Sequence, residues 1–208
     1  MRTACPGMCV RKWIIARLDL HVAACLLVCT GGQRLAGPYV IDLETVEPCP
    51  PSVLDRPYPL TISMKRSRQN PRVRYFDANF TMSSAFDETK TIRNEFASWS
   101  SRGGWKDNAL TMKIPRPCSA LKTFLPGISK YFWNNLHGPG GRVSQCPVPP
   151  GSYSIRNLST DLQGSHISSL PAMFYGKWRM DSKICEKDAC FMCVRVIAMV
   201  NPKTTPPG

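Results

Sequence analysis

Apolar residues along most of this chain return at every second position, in short runs separated by proline, glycine and asparagine. Such alternation puts one set of side chains on each face of a strand. The clearest run covers 72–82, where Phe76, Ala78, Phe80 and Met82 share one face and Tyr75, Asp77, Asn79 and Thr81 the other. Residues 58–64 set Leu60, Ile62 and Met64 together, and 39–45 alternate more weakly. Runs at 91–99 and 105–114 flank Ser100 to Gly104 and predict a hairpin. Its second strand carries Leu110, Met112 and Ile114 on one face. Runs at 152–158, 172–180 and 191–201 complete the set; the last, FMCVRVIAMV, is apolar on both faces except at Arg195, as a central strand requires. The pattern predicts an all-β domain, a mostly antiparallel β-sandwich or β-cup.

One segment changes period. In CSALKTFLPGISKYFWNNLHG, apolar residues Leu121, Phe124, Leu125, Ile128, Tyr131 and Phe132 recur at helical spacing, predicting a short helical segment near 119–137. Pro126 cannot continue a regular helix, so the segment is expected as two short turns or as a helix beginning there. Gly138 is expected to stop it. Such an element either packs over one end of the sandwich or forms a mobile lip over an apolar opening.

The first 36 residues read differently. Arg2, Arg11, Lys12 and Arg17 make a basic start, LHVAACLLVC an apolar core, and small residues with Gly31 and Gly32 follow. That is the build of a secretory signal peptide, and its apolar run is shorter than the ~20 residues a membrane span needs. Cleavage is expected near Thr30 or after Ala36, leaving 37–208 as a single domain large enough to bury a core. Ten cysteines are present, of which the leader holds Cys5, Cys9, Cys25 and Cys29. The remaining Cys49, Cys118, Cys146, Cys185, Cys190 and Cys193 form an even set, which in an oxidising compartment reads as a disulfide framework with about fifteen connectivities. Asn79-Phe80-Thr81 and Asn157-Leu158-Ser159 are glycosylation sequons, Asn79 on the polar face of its strand.

The chain carries a net charge of +13; the leader takes five basic residues and one acidic residue with it, leaving about +9. The charges are dispersed, and the densest cluster, Lys65-Arg66-Ser67-Arg68, falls at a hairpin tip, so nucleic acid is not an expected partner. Catalysis finds little support. No G-x-S-x-G elbow occurs, and beyond the leader only His137 and His166 are available, both in loops. Asp161, Ser165 and His166 are near in sequence, which does not make a triad. Cys185-x4-Cys190-x2-Cys193 with His166 or Cys146 offers zinc four ligands, yet the second half of a paired C-x2-C arrangement is missing and secretion favours disulfides. No metal, cofactor or enzyme activity is expected.

The stretch CPVPPGSYSIRN, beginning at Cys146, places Pro147, Pro149 and Pro150 ahead of a strand. Prolines fix φ near −65° and donate no backbone hydrogen bond, so this lead-in is expected to be stiff and unpaired, with Gly151 turning the chain into the strand. Cys118 in a helical stretch, then CPVPPGSYSIRN, SLPAMFYGKWRM, and a closing C-x2-C followed by VRVIAMVNPK together resemble a known group. These are the secreted arthropod ganglioside-activator-like proteins, with chemosensory members, of the lipid-recognition (ML-type) β-sandwich class. The resemblance spans residues 46–203 and is strongest over 118–203. It implies two sheets that part to admit a lipid, in proteins that carry ligands without transforming them. It also implies Cys49–Cys193 and Cys118–Cys146 bridges and leaves Cys185–Cys190, with Cys185–Cys193 and Cys49–Cys190 as an alternative.

An apolar ligand needs lining beyond what close packing consumes. The inward faces offer Phe76, Phe80, Leu110, Met112, Phe174, Trp178, Val194 and Val196, and the helical segment Phe124, Leu125 and Phe132. Nine methionines in the whole chain suit a deformable pocket. The expected function is secreted, extracellular carriage or presentation of a lipid or other apolar small molecule, with an anionic membrane surface or a receptor as further partners. The alternative is a glycosylated protein-recognition module without a cavity, using Trp99, Trp105 or Trp133.

Overall fold

A computed structural model describes residues 35–70, 73–160 and 173–203. The signal peptide expected over 1–36 lies almost wholly outside the described residues, as do Asp161, Ser165 and His166. In chain order the strands are β1 (Ala36–Gly37), β2 (Tyr39–Pro48), β3 (Leu60–Arg66), β4 (Arg74–Met82), β5 (Lys90–Ser100), β6 (Gly104–Pro115), β7 (Leu136–Gly138), β8 (Gly141–Arg142), β9 (Gly151–Ser159), β10 (Met173–Phe174), β11 (Gly176–Glu186) and β12 (Ala189–Pro202). Two helices, α1 (Pro117–Phe124) and α2 (Pro126–Asn135), run between β6 and β7. A long sheet is ordered β2-β12-β11-β5-β6 and a short sheet β3-β4-β9-β7-β8, while β1 pairs with β10 alone. The pairings within each are antiparallel. The molecule is thus the expected all-β sandwich with a short helical insertion, and β12, apolar on both faces, is interior to its sheet.

The core lies between the sheets, where Ala78, Met82, Leu136, Tyr153, Ile155 and Leu158 of the short sheet meet Phe191 and Met192 of β12. Its phase is kept by bulges that alternation alone does not reveal. On β9, strict period two would bring Tyr153, Ile155 and Asn157 inward. Instead Phe76 faces Leu158 while Ala78 faces Ile155, so Arg156 and Asn157 together oppose Asp77. Asn157 takes a left-handed φ of 52°, which asparagine tolerates better than most residues. Asp77 Oδ1 accepts its backbone N–H at 2.7 Å. The slip turns Asn157 outward and Leu158 into the core. On β2, a similar irregularity between the partners of Ile197 and Ala198 lets both Leu43 and Val46 face inward.

Three disulfides staple this frame: Cys49–Cys193, Cys118–Cys146 and Cys185–Cys190. The first two are the bridges that the resemblance implied, and the third is the pair they left over, in place of the alternative Cys185–Cys193 with Cys49–Cys190. The first joins β12 to the end of β2, the second ties α1 to the approach to β9, and the third closes the β11–β12 hairpin beside its turn. The cysteines weighed as zinc ligands are all held in these bridges.

Some expected boundaries differ. The helical segment breaks at Leu125, where φ is −134°, and resumes at Pro126. It ends at Asn135, ahead of Gly138, because Leu136 and His137 pair with Ile155 and Ser154 of β9. Gly138 serves close packing instead, since a Cβ there would stand 2.6 Å from the Tyr153 ring. The proline-rich lead-in is not unpaired: Val148, between two prolines, exchanges two backbone hydrogen bonds with Phe86, each 2.9 Å. The single run at 172–180 is divided, Met173 and Phe174 pairing with β1 before Gly176, at φ 121°, starts β11.

Candidate functional site

A cavity of about 420 Å³ is cut into the core between the two sheets. The long sheet supplies Leu43, Val46, Ile92, Met180, Ser182, Ile184, Met192, Val194 and Val196 to its wall. Opposite them stand Leu60, Ile62, Phe76, Ala78, Phe80, Met82, Leu136, Ile155 and Leu158 of the short sheet. Leu121 of α1 and Ser129, Tyr131, Phe132 and Trp133 of α2 complete it, with Phe86 and Val148 from the bridge ahead of β9. This wall follows from strand periodicity: β4, β11 and β12 each send alternate residues inward. The helices add a third side because their linkers join the edge of the long sheet to β7 of the short one.

The cavity's chemistry is uniform. No lysine, arginine, histidine, aspartate or glutamate is among its lining residues. Most of its few polar groups satisfy one another. Tyr131 accepts from the Ser159 backbone N–H at 2.8 Å, and Trp133 Nε1 donates to Ser129 Oγ at 3.0 Å. In the core outside the lining, burial pushes the Tyr153 phenol above its usual range, and its hydroxyl is spent on the Pro149 carbonyl at 2.5 Å. Lys90, buried and paired with Glu186 at 2.9 Å, stands over the Phe191 ring at one end of the inner face, outside the lining, while the ion pairs that follow lie on the far face of the long sheet. There Arg195 makes two 2.7 Å hydrogen bonds to Asp181, which hold its guanidinium pKa above the usual value. Lys183 pairs with Glu95 at 2.8 Å and Lys177 with Glu44 at 2.6 Å. A dry wall with no charge suits an apolar occupant and penalises an ion.

Of the residues expected to line a pocket, Phe76, Phe80, Phe132, Val194 and Val196 meet around this space. The others stand elsewhere. Leu110 and Met112 are 54% and 43% exposed. They do lie on the cavity side of the long sheet, opposite Phe96 and Asn94, but β6 is the edge strand and extends past the wall. Phe124, 64% exposed, sits at the end of α1, and half-buried Leu125 is the break between the helices. Phe174, 65% exposed, belongs to the β1–β10 pair, so its phase does not carry across Gly176. Trp178 keeps the cavity face but lies beyond Met180, its Nε1 donating to the Phe174 carbonyl at 3.1 Å. The sequence reading missed the contributions of β9 and of Met180, Ser182 and Ile184. The β11 signal was present in the alternation of Met180, Ser182 and Ile184 with charged Asp181 and Lys183.

Asn79 and Asn157 both fall on exposed backbone of the short sheet's outer face. Asn79 accepts a 2.8 Å hydrogen bond from Arg156. Among the described residues, no helix is long and apolar enough to cross a membrane, and no cluster of acidic, histidine and cysteine side chains is arranged to hold a metal. What fold and cavity define is a class: a disulfide-stapled β-sandwich with an apolar chamber between its sheets. No protein-family model matches the chain, and no curated protein matches it.

Proposed function

We propose that this protein is a secreted, non-enzymatic carrier or presenter of a lipid or other apolar molecule, held between its two sheets. The observation that carries the reading is the uncharged cavity of about 420 Å³. A cavity of ~150 Å³ with similar walls stays dry and takes one benzene, so this one suits an apolar body nearly three times that bulk. Small-molecule sites begin at roughly 300 Å³. Three disulfides are compatible with an extracellular protein, and the resemblance of residues 46–203 to lipid-recognition proteins points the same way. Burying a sixteen-carbon chain contributes on the order of 12 kcal/mol at ~0.8 per methylene. Most of this cancels when the lipid comes from a membrane, so the protein acts as an exchanger. The dispersed positive charge favours docking on an anionic membrane surface.

Protein-recognition without a ligand retains one supporting feature. Trp99 is half exposed beside the β5–β6 tip and packs edge-on against Trp105 at 5.2 Å. The test is titration of delipidated protein with a fatty acid, a glycolipid and a long hydrocarbon. Saturable binding of at least one is expected; binding of none refutes carriage and leaves the recognition reading.

A further inference from the structure

We propose that the exposed edge formed by β6 and α1 docks on an anionic lipid bilayer, its apolar side chains entering the interface and its cations meeting the headgroup phosphates. The inference extends the carrier reading, from which it takes the membrane as the place where ligand is exchanged. β6 is the edge strand of the long sheet, and every residue from Lys106 to Lys113 is exposed. α1 follows it directly and touches it. Three large apolar side chains stand in water here: Leu110 and Met112 on the cavity side of β6, and Phe124 at the end of α1. Exposed apolar residues of that size, grouped on two consecutive elements, mark a contact surface.

Charge decides what the contact is. Between 102 and 130 the chain carries Arg102, Lys106, Lys113, Arg116, Lys122 and Lys130, all exposed, against one acid, Asp107. Asp107 is taken by Arg179, and among the described residues none of the six cations has an ion-pair partner. Unpaired cations interleaved with exposed apolar side chains match an anionic bilayer, which offers phosphate at its surface and hydrocarbon beneath. A soluble polyanion leaves the apolar side chains in water. A second copy of this chain brings like charges face to face. Asn108, at a left-handed φ of 56°, also interrupts the strand that edge-to-edge pairing would extend. Leu121, the neighbour of Lys122, lines the cavity, so docking by this edge turns the helical side of the cavity toward the bilayer.

The experiment is co-sedimentation of the purified protein with vesicles of phosphatidylcholine, alone or with about one-third phosphatidylserine, in ~0.1 M salt. Binding to the anionic vesicles is expected to be at least about tenfold tighter. A basic residue near such a surface contributes about fivefold, so Lys113→Gln with Lys122→Gln should weaken that binding about twentyfold. Met112→Ser with Phe124→Ser should weaken it about tenfold or more, with fatty-acid uptake in solution within about twofold of native. The same charge loss at the β3–β4 tip, Arg66→Gln with Arg68→Gln, should cost less than about threefold. Native protein that binds neither vesicle, tip and edge variants that weaken binding equally, or edge variants that bind as native does overturn the assignment while carriage stands. A dimer in sedimentation velocity that Met112→Ser with Phe124→Ser dissolves gives this face to a second copy and overturns it as well. Vesicle binding as expected, with no fatty acid, glycolipid or hydrocarbon taken up, refutes carriage and leaves the docking surface.

Discussion

At the scale of single residues, burial and the direction of each side chain decide what the molecule can do. Val194 is small and faces free space, so a larger side chain enters the cavity instead of strained packing. Val194→Phe should cut apolar-ligand affinity at least tenfold with the melting temperature close to native, as read by titration and thermal unfolding. Leu110→Ser, on the overhanging edge strand, should leave affinity within about twofold, since that side chain is outside the wall. Asp77 offers a separate check. The Asn157 backbone hydrogen bond, then Lys65, holds its pKa below the ordinary 3.8. A depressed carboxylate pKa gives stability that is present above the unfolded value and lost as pH falls through the folded one. Asp77→Asn should therefore lower the melting temperature slightly at pH 7, and the gap should narrow as pH falls through the folded-state pKa. Asp77 and Asn157 also mark the limit of sequence reading. Alternation predicts β9 as a strand, but the left-handed Asn157 shifts its phase, and only the pairing with β4 shows that Leu158 is core.

Elements were legible where local pattern and final environment agreed. The hairpin of β5 and β6 follows from alternation around Ser100 to Gly104, and the helical break follows from Pro126. Legibility ended where position within a sheet decides exposure. Leu110 and Met112 sit on the face that alternation assigns them, yet an edge strand leaves them in water. Phe174 and Trp178 look continuous in sequence, but Gly176 hands the chain from one sheet to another. The Cys118–Cys146 bridge connects α1 to the approach to β9, and α1 and α2 form one side of the cavity. Closing a loop of 28 residues contributes about 3.6 kcal/mol in the chain-entropy picture. Replacing both cysteines by alanine should cost stability of that order in denaturant unfolding. Stopped-flow displacement should also show faster ligand release, because the helical side is no longer tethered.

The whole molecule separates polarity by surface. Ion pairs such as Arg195–Asp181 and Lys183–Glu95 lie on the outer face of the long sheet, the exposed sequon asparagines lie on the outer face of the short one, and the cavity lining between the sheets is uncharged, with Lys90 and Glu186 paired beyond its end. The most direct test of the carrier account is native mass spectrometry of the purified protein, followed by organic extraction of what it releases. A co-purifying apolar molecule at near one-to-one stoichiometry, identified in the extract as uncharged in the part held by the cavity, is the predicted result. Protein that emerges empty and takes up no lipid when incubated with vesicles contradicts the account.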